Sequence, residues 1–174
     1  MLSYHILGTE HSRQRRDPRL KTKLQGIIGG NRIKLVAEEI DVNLADAQQK
    51  SVARDLAKAH TPEIPWVPMG MTFKQEEDAG IRNALDHAFK LQRKEINAYA
   101  KRANDFRENC WLNHIEQECE KQGISDGTVL IICGYNHRDF LAEKVRRLGI
   151  KEIDLDEYPD GLGKRLDKLV MTDL

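Results

Sequence analysis

The chain has 174 residues, with 28 Lys+Arg balanced by 28 Asp+Glu, a formal net charge of zero, and a 40% hydrophobic, 6% aromatic composition. That length carries one domain, residues 1–174, with a real core, and that composition is globular rather than disordered. Zero net charge provides no global field to gather nucleic acid or an anionic membrane. The basic cluster Arg13-Gln-Arg-Arg16 with Arg19, Lys21 and Lys23 reads as a solvated face, so no nucleic acid is expected as a partner. The three cysteines, Cys110, Cys119 and Cys133, have no C-x-x-C spacing, which argues against a zinc finger or a disulfide framework. No basic segment precedes a long apolar one, and no window approaches the ~18 apolar residues of a membrane span. The expectation is a cytoplasmic protein that does not enter a membrane.

In chain order, Ser3–Leu7 reads as a first strand ending at Gly8, and residues 10–16 as a loop or helix start. Asp17-Pro18 opens a helix whose apolar face is Leu20, Leu24, Ile27 and Ile28, stopped at Gly29-Gly30. Ile33–Ala37 is a second strand running into Glu38-Glu39. Leu44–His60 reads as a helix with Ala45, Val52, Leu56 and Ala59 as its stripe, and Trp66–Met69 as a third strand flanked by prolines. From about residue 73 to 123 there is no strand candidate. Ile81, Leu85, Ala88 and Phe89 mark one helix there, with Ile96 and Tyr99 extending it. Phe106, Cys110, Ile115 and Cys119 mark a later helix, closed by Gly123. Thr128–Cys133 is an uncharged aliphatic run, suited to a strand buried on both faces, with Cys133 as a small core residue. A helix over Arg138–Leu148, a strand at Glu152–Leu155 and a helical tail around Leu162, Leu166 and Leu169 complete the chain. The order predicts a three-layer α/β fold: a mostly parallel central sheet of about five strands, with a helical insertion at residues 73–123 before the fourth strand.

Two stretches share one grammar, an apolar strand followed by Gly-x-x-His: Gly8-Thr-Glu-His11 and Gly134-Tyr-Asn-His137. With 12 glycines and 6 histidines in 174 residues, about 0.4 such matches are expected by chance, so two in equivalent settings carry information. If both strands are parallel and neighbours, both histidines lie at the carboxyl edge of the sheet, where open α/β folds bind ligands. Two imidazoles with the carboxylates Glu10, Glu38 and Glu39 form a candidate divalent-metal set for zinc, manganese, cobalt or iron. A histidine beside a glutamate also serves as a general base without metal. Arg107, in Arg107-Glu-Asn-Cys-Trp111, is a candidate donor for an oxyanion, although a helical arginine is more often a surface ion-pair partner. Histidine and tyrosine are ordinary haem ligands, which makes Tyr135 a candidate there.

Taken together, these residues resemble the superfamily of TraB/PrgY proteins, Tiki metalloproteases, ChaN-like haem-binding proteins and erythromycin esterase-like enzymes. The paired Gly-x-x-His motifs carry the resemblance. So do a glutamate closing an early strand (Val36-Ala-Glu38-Glu39-Ile40) and the Arg107–Trp111 helix motif. Glu39-Ile40-Asp41 is the closer match to the superfamily's Glu-Leu-Asp pattern. The resemblance implies a site of His11, His137, Glu39 and Arg107, with Gly8 and Gly134 in its ligand-binding loops. It also implies a hydrolase acting on a small-molecule or peptide substrate, divalent-metal-dependent or not. Two other readings stand beside that one: a non-enzymatic module binding haem, iron or a small anion, and a regulatory protein using residues 73–123 as its partner surface.

Overall fold

A computed structural model describes residues 1–30, 32–40, 42–43, 50–81 and 93–159; the side chains of His11, Ser12 and residues 93–100 lie outside that description. The strands are β1 (Leu2–Thr9), β2 (Ile33–Glu38), β3 (Trp66–Pro68), β4 (Gly127–Gly134) and β5 (Ile153–Tyr158). The helices are α1 (His11–Gln14), α2 (Pro18–Gly30), α3 (Val52–Ala59), α4 (Phe73–Asp78), α5 (Arg93–Lys121) and α6 (Tyr135–Arg147). All five strands are parallel, in the order β3-β2-β4-β1-β5.

That order decides where the helices go. Crossovers between parallel strands are right-handed, so the direction of travel across the sheet selects the face. From β1 to β2 to β3 the chain moves one way, and α2 and α3 pack together on one face with Leu7, Val36, Leu130 and Ile132. From β3 to β4 to β5 it moves back, and α5 and α6 cover the other face with Ile6, Leu35, Ala37 and Ile131. β4, in the middle, is enclosed on both sides: Val129 through Cys133 are all 0% exposed. Such a strand cannot alternate apolar with polar, which accounts for its uninterrupted aliphatic run.

The expected three-layer parallel architecture is present, with several boundaries moved. Ser51 sets the third helix, because its side chain accepts from the Arg54 N–H; α3 therefore begins at Val52, and residues 44–49 of the expected Leu44–His60 helix lie outside the described residues. Its buried positions are Val52, Ala53 and Ala57, so the apolar face is rotated from the expected stripe. In α5 the buried positions include Glu108, Trp111, Leu112, Ile115 and Cys119, whereas Phe106 is exposed. Gly123, at φ +66, ends α5 with the paired bonds Ile124 N–H to Cys119 O and Gly123 N–H to Glu120 O. The expected positions Leu85, Ala88 and Phe89, and the tail beyond Pro159, lie outside the described residues, as do the side chains of Ile96 and Tyr99. Among the described residues, no helix is long and apolar enough to cross a membrane.

Ile131 is the centre of the core on the α5/α6 face. Ile131→Ala should lower unfolding stability by about 2–5 kcal/mol, read as a reduced urea midpoint with an unchanged slope. A loss below about 1 kcal/mol would contradict this packing.

Candidate functional site

β1 and β4 lie side by side in a register that runs from Leu2 opposite Gly127 to Thr9 opposite Gly134. The two Gly-x-x-His segments therefore start at adjacent positions on the carboxyl edge. After β1 the chain leaves toward the α2/α3 face, and after β4 it leaves toward the α5/α6 face. This divergence of neighbouring strands is the topological switch point of an open sheet, where a crevice opens between the connections.

His137, expected on a loop before the helix, sits in the helix's first turn, and His11 lies at a helix start, one of the two states expected for residues 10–16. α6 begins directly after Gly134, so His137 is its third residue, and His11 opens the short α1. Gly8 makes the tight start of α6 possible: a Cβ there would lie 3.2 Å from Arg138 Cβ and 3.3 Å from Tyr135 Cα.

His137 is 8% exposed. Its Nδ1 is 2.9 Å from Glu108 Oε1, and its ring packs edge-on against Trp111 with centroids 4.9 Å apart. An ionised carboxylate only accepts, so Glu108 fixes the proton on Nδ1 and leaves Nε2 as the acceptor of the neutral ring. Nε2 lies 3.8 Å from Glu39 Oε1. The other oxygen of Glu39 accepts the Gly134 N–H at 2.6 Å, tying the end of β2 to the start of α6. Glu108 is only 2% exposed, and Lys144 Nζ lies 3.9 Å from its Oε2. Lys144 is itself held by Asp105 and Asn109, at 2.5 Å and 2.7 Å. The result is a row of side chains, Lys144–Glu108–His137–Glu39, from α6, α5, α6 and the residue after β2, in which Glu108 and His137 share the hydrogen bond.

The sheet's two-residue period separates the two glutamates. Glu39 continues the Leu35/Ala37 face and meets His137, while Glu38 points to the α2/α3 face. There Glu38 is 1% exposed and accepts hydrogen bonds from the Ser51 hydroxyl and, at 2.9 Å, from Trp66 Nε1. Burial raises its pKa to about 7, outweighing these two donors, which favour the ionised form. Glu38 is thus placed with the α3 cap, apart from His137.

The remaining expected residues fall as follows. Glu10 precedes α1, half exposed, and its Oε2 pairs with Arg13 Nε at 2.7 Å. Arg107 pairs with Glu76 of α4 at 3.1 Å, anchoring the start of the helical insertion to α5. Tyr135 lies under the Arg138 guanidinium, 5.3 Å from ring centroid to Cζ. Cys133 lies beneath the site, its thiol pushed well above the ordinary range by burial and then by Glu39 and Glu108, so it is no nucleophile. The side chain of His11 is outside the described residues, and among the described residues no three His, Cys, Asp or Glu side chains form a metal-holding group. Glu108 and Lys144 were not expected. The signal for Glu108 was a carboxylate three, four and seven residues before Trp111, Leu112 and Ile115, on the apolar face of its helix.

Two outcomes test this arrangement. Glu108→Ala leaves a buried imidazole N–H without its acceptor and should cost about 1–3 kcal/mol of stability, read by urea denaturation; no change would place Glu108 outside the array. Glu38 has a folded pKa of about 7 against 4.5 for the free carboxyl, so the folded protein keeps a proton that the unfolded chain releases. Its contribution to stability is greatest below pH 4.5 and falls as pH rises to about 7. Glu38→Gln should flatten that decline in unfolding curves recorded across this window, and an unaltered slope would refute the assignment.

No family model, no curated protein and no solved structure matches this chain.

Proposed function

We propose that this protein is a hydrolase whose nucleophilic water is held between His137 and Glu39 at the crevice beside β1. The observation that supports this most directly is the Glu108–His137–Glu39 array. A buried carboxylate orients the imidazole, and the free ring nitrogen faces a second carboxylate across 3.8 Å. A gap of that width between two acceptors suits a bridging water, which donates one O–H to each and keeps its lone pairs for attack. His137 Nε2 takes the water's proton as the new C–O bond forms, and the resulting imidazolium returns it to the leaving oxygen or nitrogen. Glu108 stabilises the imidazolium and preserves its orientation. The Asn136 and His137 N–H groups, in the first turn of α6 that Gly134 cannot cap with a side chain, supply donors for the developing oxyanion.

A divalent cation such as manganese, cobalt, zinc or iron would find one histidine and one carboxylate here, His137 and Glu39, short of the three protein ligands a catalytic site supplies. A metal-binding histidine characteristically gives its other ring nitrogen to a carboxylate, as His137 does with Glu108. An ion held by His137 and Glu39 would need a further ligand from outside the described residues, where the side chain of His11 lies. When bound, such an ion supplies Lewis acidity and a more acidic water. The resemblance of the Gly-x-x-His pair to a superfamily with hydrolytic members supports the same reading.

Purified protein should hydrolyse 4-nitrophenyl esters or unstructured peptides, assayed after chelator treatment and after resupply of each metal. His137→Ala and Glu39→Gln should each lower kcat/KM by about 100-fold or more, and Glu108→Gln by about 10–100-fold. Turnover unchanged in the His137→Ala, Glu39→Gln double variant would overturn the proposal.

A further inference from the structure

Lys144, Glu108 and His137 stand on long helices, whereas Glu39 lies one residue past the end of β2. Its N–H still reaches the Ile132 carbonyl at 2.8 Å, but beyond it the chain leaves the sheet. The placing of its carboxylate therefore depends on what holds the outgoing chain.

Two contacts catch that chain. Gly70, in the connection after β3, lies directly against it. A Cβ there would collide with the Ile40 carbonyl oxygen and fall 2.8 Å from Val42 Cγ1, so only glycine lets the two connections close together. Asn43 then uses both ends of its side-chain amide on the stretch that leads into α4. Its Nδ2 donates to the Met71 carbonyl at 3.1 Å, and its Oδ1 accepts from the Phe73 N–H at 2.8 Å. One donor and one acceptor, used in opposite senses, fix the orientation of the amide.

The far side of this tie is itself anchored. Thr72 and Gln75 form a capping box at the start of α4. Glu76 of α4 pairs with Arg107 of α5 at 3.1 Å, and both side chains are largely buried. Arg107 immediately precedes Glu108, the partner of His137 Nδ1. α4 thus joins the chain behind Glu39 to the helix that orients the imidazole.

We propose that Asn43 is a positioning residue for Glu39: by tying the chain behind Glu39 to the start of α4, it sets the separation of Glu39 Oε1 from His137 Nε2. That separation is 3.8 Å, and a water can bridge it only while both acceptors stay within hydrogen-bond reach. The other oxygen of Glu39 holds the Gly134 N–H at 2.6 Å, so a displaced Glu39 loosens both contacts together. The inference rests on the hydrolase reading for its effect on turnover, and on the fold alone for its effect on the Gly134 bond.

The Gly134 amide proton reports Glu39 directly, because a short bond to a carboxylate moves it downfield and slows its exchange. In proton–nitrogen correlation spectra, Glu39→Gln should move this resonance upfield, which calibrates a weakened contact. Asn43→Asp keeps the shape but sets a carboxylate against the Met71 carbonyl. It should move Gly134 in the same direction, speed its exchange, and lower kcat by about tenfold or more with KM nearly constant. Phe73→Pro removes the same bond from its other partner, at the first position of α4, where proline is tolerated. Thr72 before it is already extended, at φ −70 and ψ 155, so this variant should reproduce both effects. Ile28→Val, on the opposite face of the sheet, loosens the core without touching the tie and should leave Gly134 in place. Either tie variant suffices where the other loses its amide dispersion. A Gly134 resonance that stays put in a folded tie variant, or that moves equally in Ile28→Val, overturns the proposal. Movement of Gly134 in a protein that turns over no ester supports the positioning role and counts against the hydrolase. Turnover lost in Glu39→Gln but unchanged in Asn43→Asp and Phe73→Pro does the reverse.

Discussion

Everything in this molecule depends on the parallel pairing of β1 with β4. These strands come from opposite ends of the chain, yet they run together from Leu2 and Gly127 to Thr9 and Gly134. Apolar burial drives the pairing: β4 is enclosed on both faces, and β1 contributes Tyr4 and Ile6 to one core and Leu7 to the other. Because the connections from the two strands leave on opposite faces, the same pairing opens the crevice at their carboxyl ends. A fold with a different strand order would keep both Gly-x-x-His segments without starting them at adjacent positions on one sheet edge.

α5 turns that crevice into a chemical environment. Its buried side packs Trp111, Leu112 and Ile115 on the sheet and, one turn earlier, places Glu108 against His137. A buried carboxylate is costly unless paired and hydrogen-bonded. Here Glu108 has the imidazole on one oxygen and Lys144 near the other, so both of its oxygens face side chains of α6. Glu39 completes the line, and its bond to the Gly134 N–H links the third element, β2, to the point where α6 begins. Residues from three elements are held in this way by packing that also stabilises the core.

Glu38 and Glu39 show how neighbouring residues of one type come to differ. One is buried against α3 under a serine and a tryptophan, and tends to hold its proton toward neutral pH. The other faces a histidine and a backbone N–H across the opposite side of the sheet. The strand's two-residue period makes that difference unavoidable once each face has its own helical layer.

The alternation of strands and helices, the buried character of Thr128–Cys133 and the strand-then-Gly-x-x-His pattern were legible from the residues, because periodicity and propensity are local properties. So was the face of α2, whose four expected apolar residues are all buried. The phase of α3 was not: it depends on Ser51 capping the helix and on how α3 meets α2. The status of the glutamates was not legible either, since adjacent carboxylates are equivalent until the helical layers are assigned to faces. Arg107 and Glu108 are the sharpest case. The sequence motif draws attention to the arginine, but successive residues on a helix point about 100° apart, and packing sends Arg107 to Glu76 and Glu108 to His137. Sequence by itself determined the order of strands and helices along the chain. Only the tertiary structure decided which side chains face one another, because that choice lies in strand order and helix rotation, which are set by long-range burial.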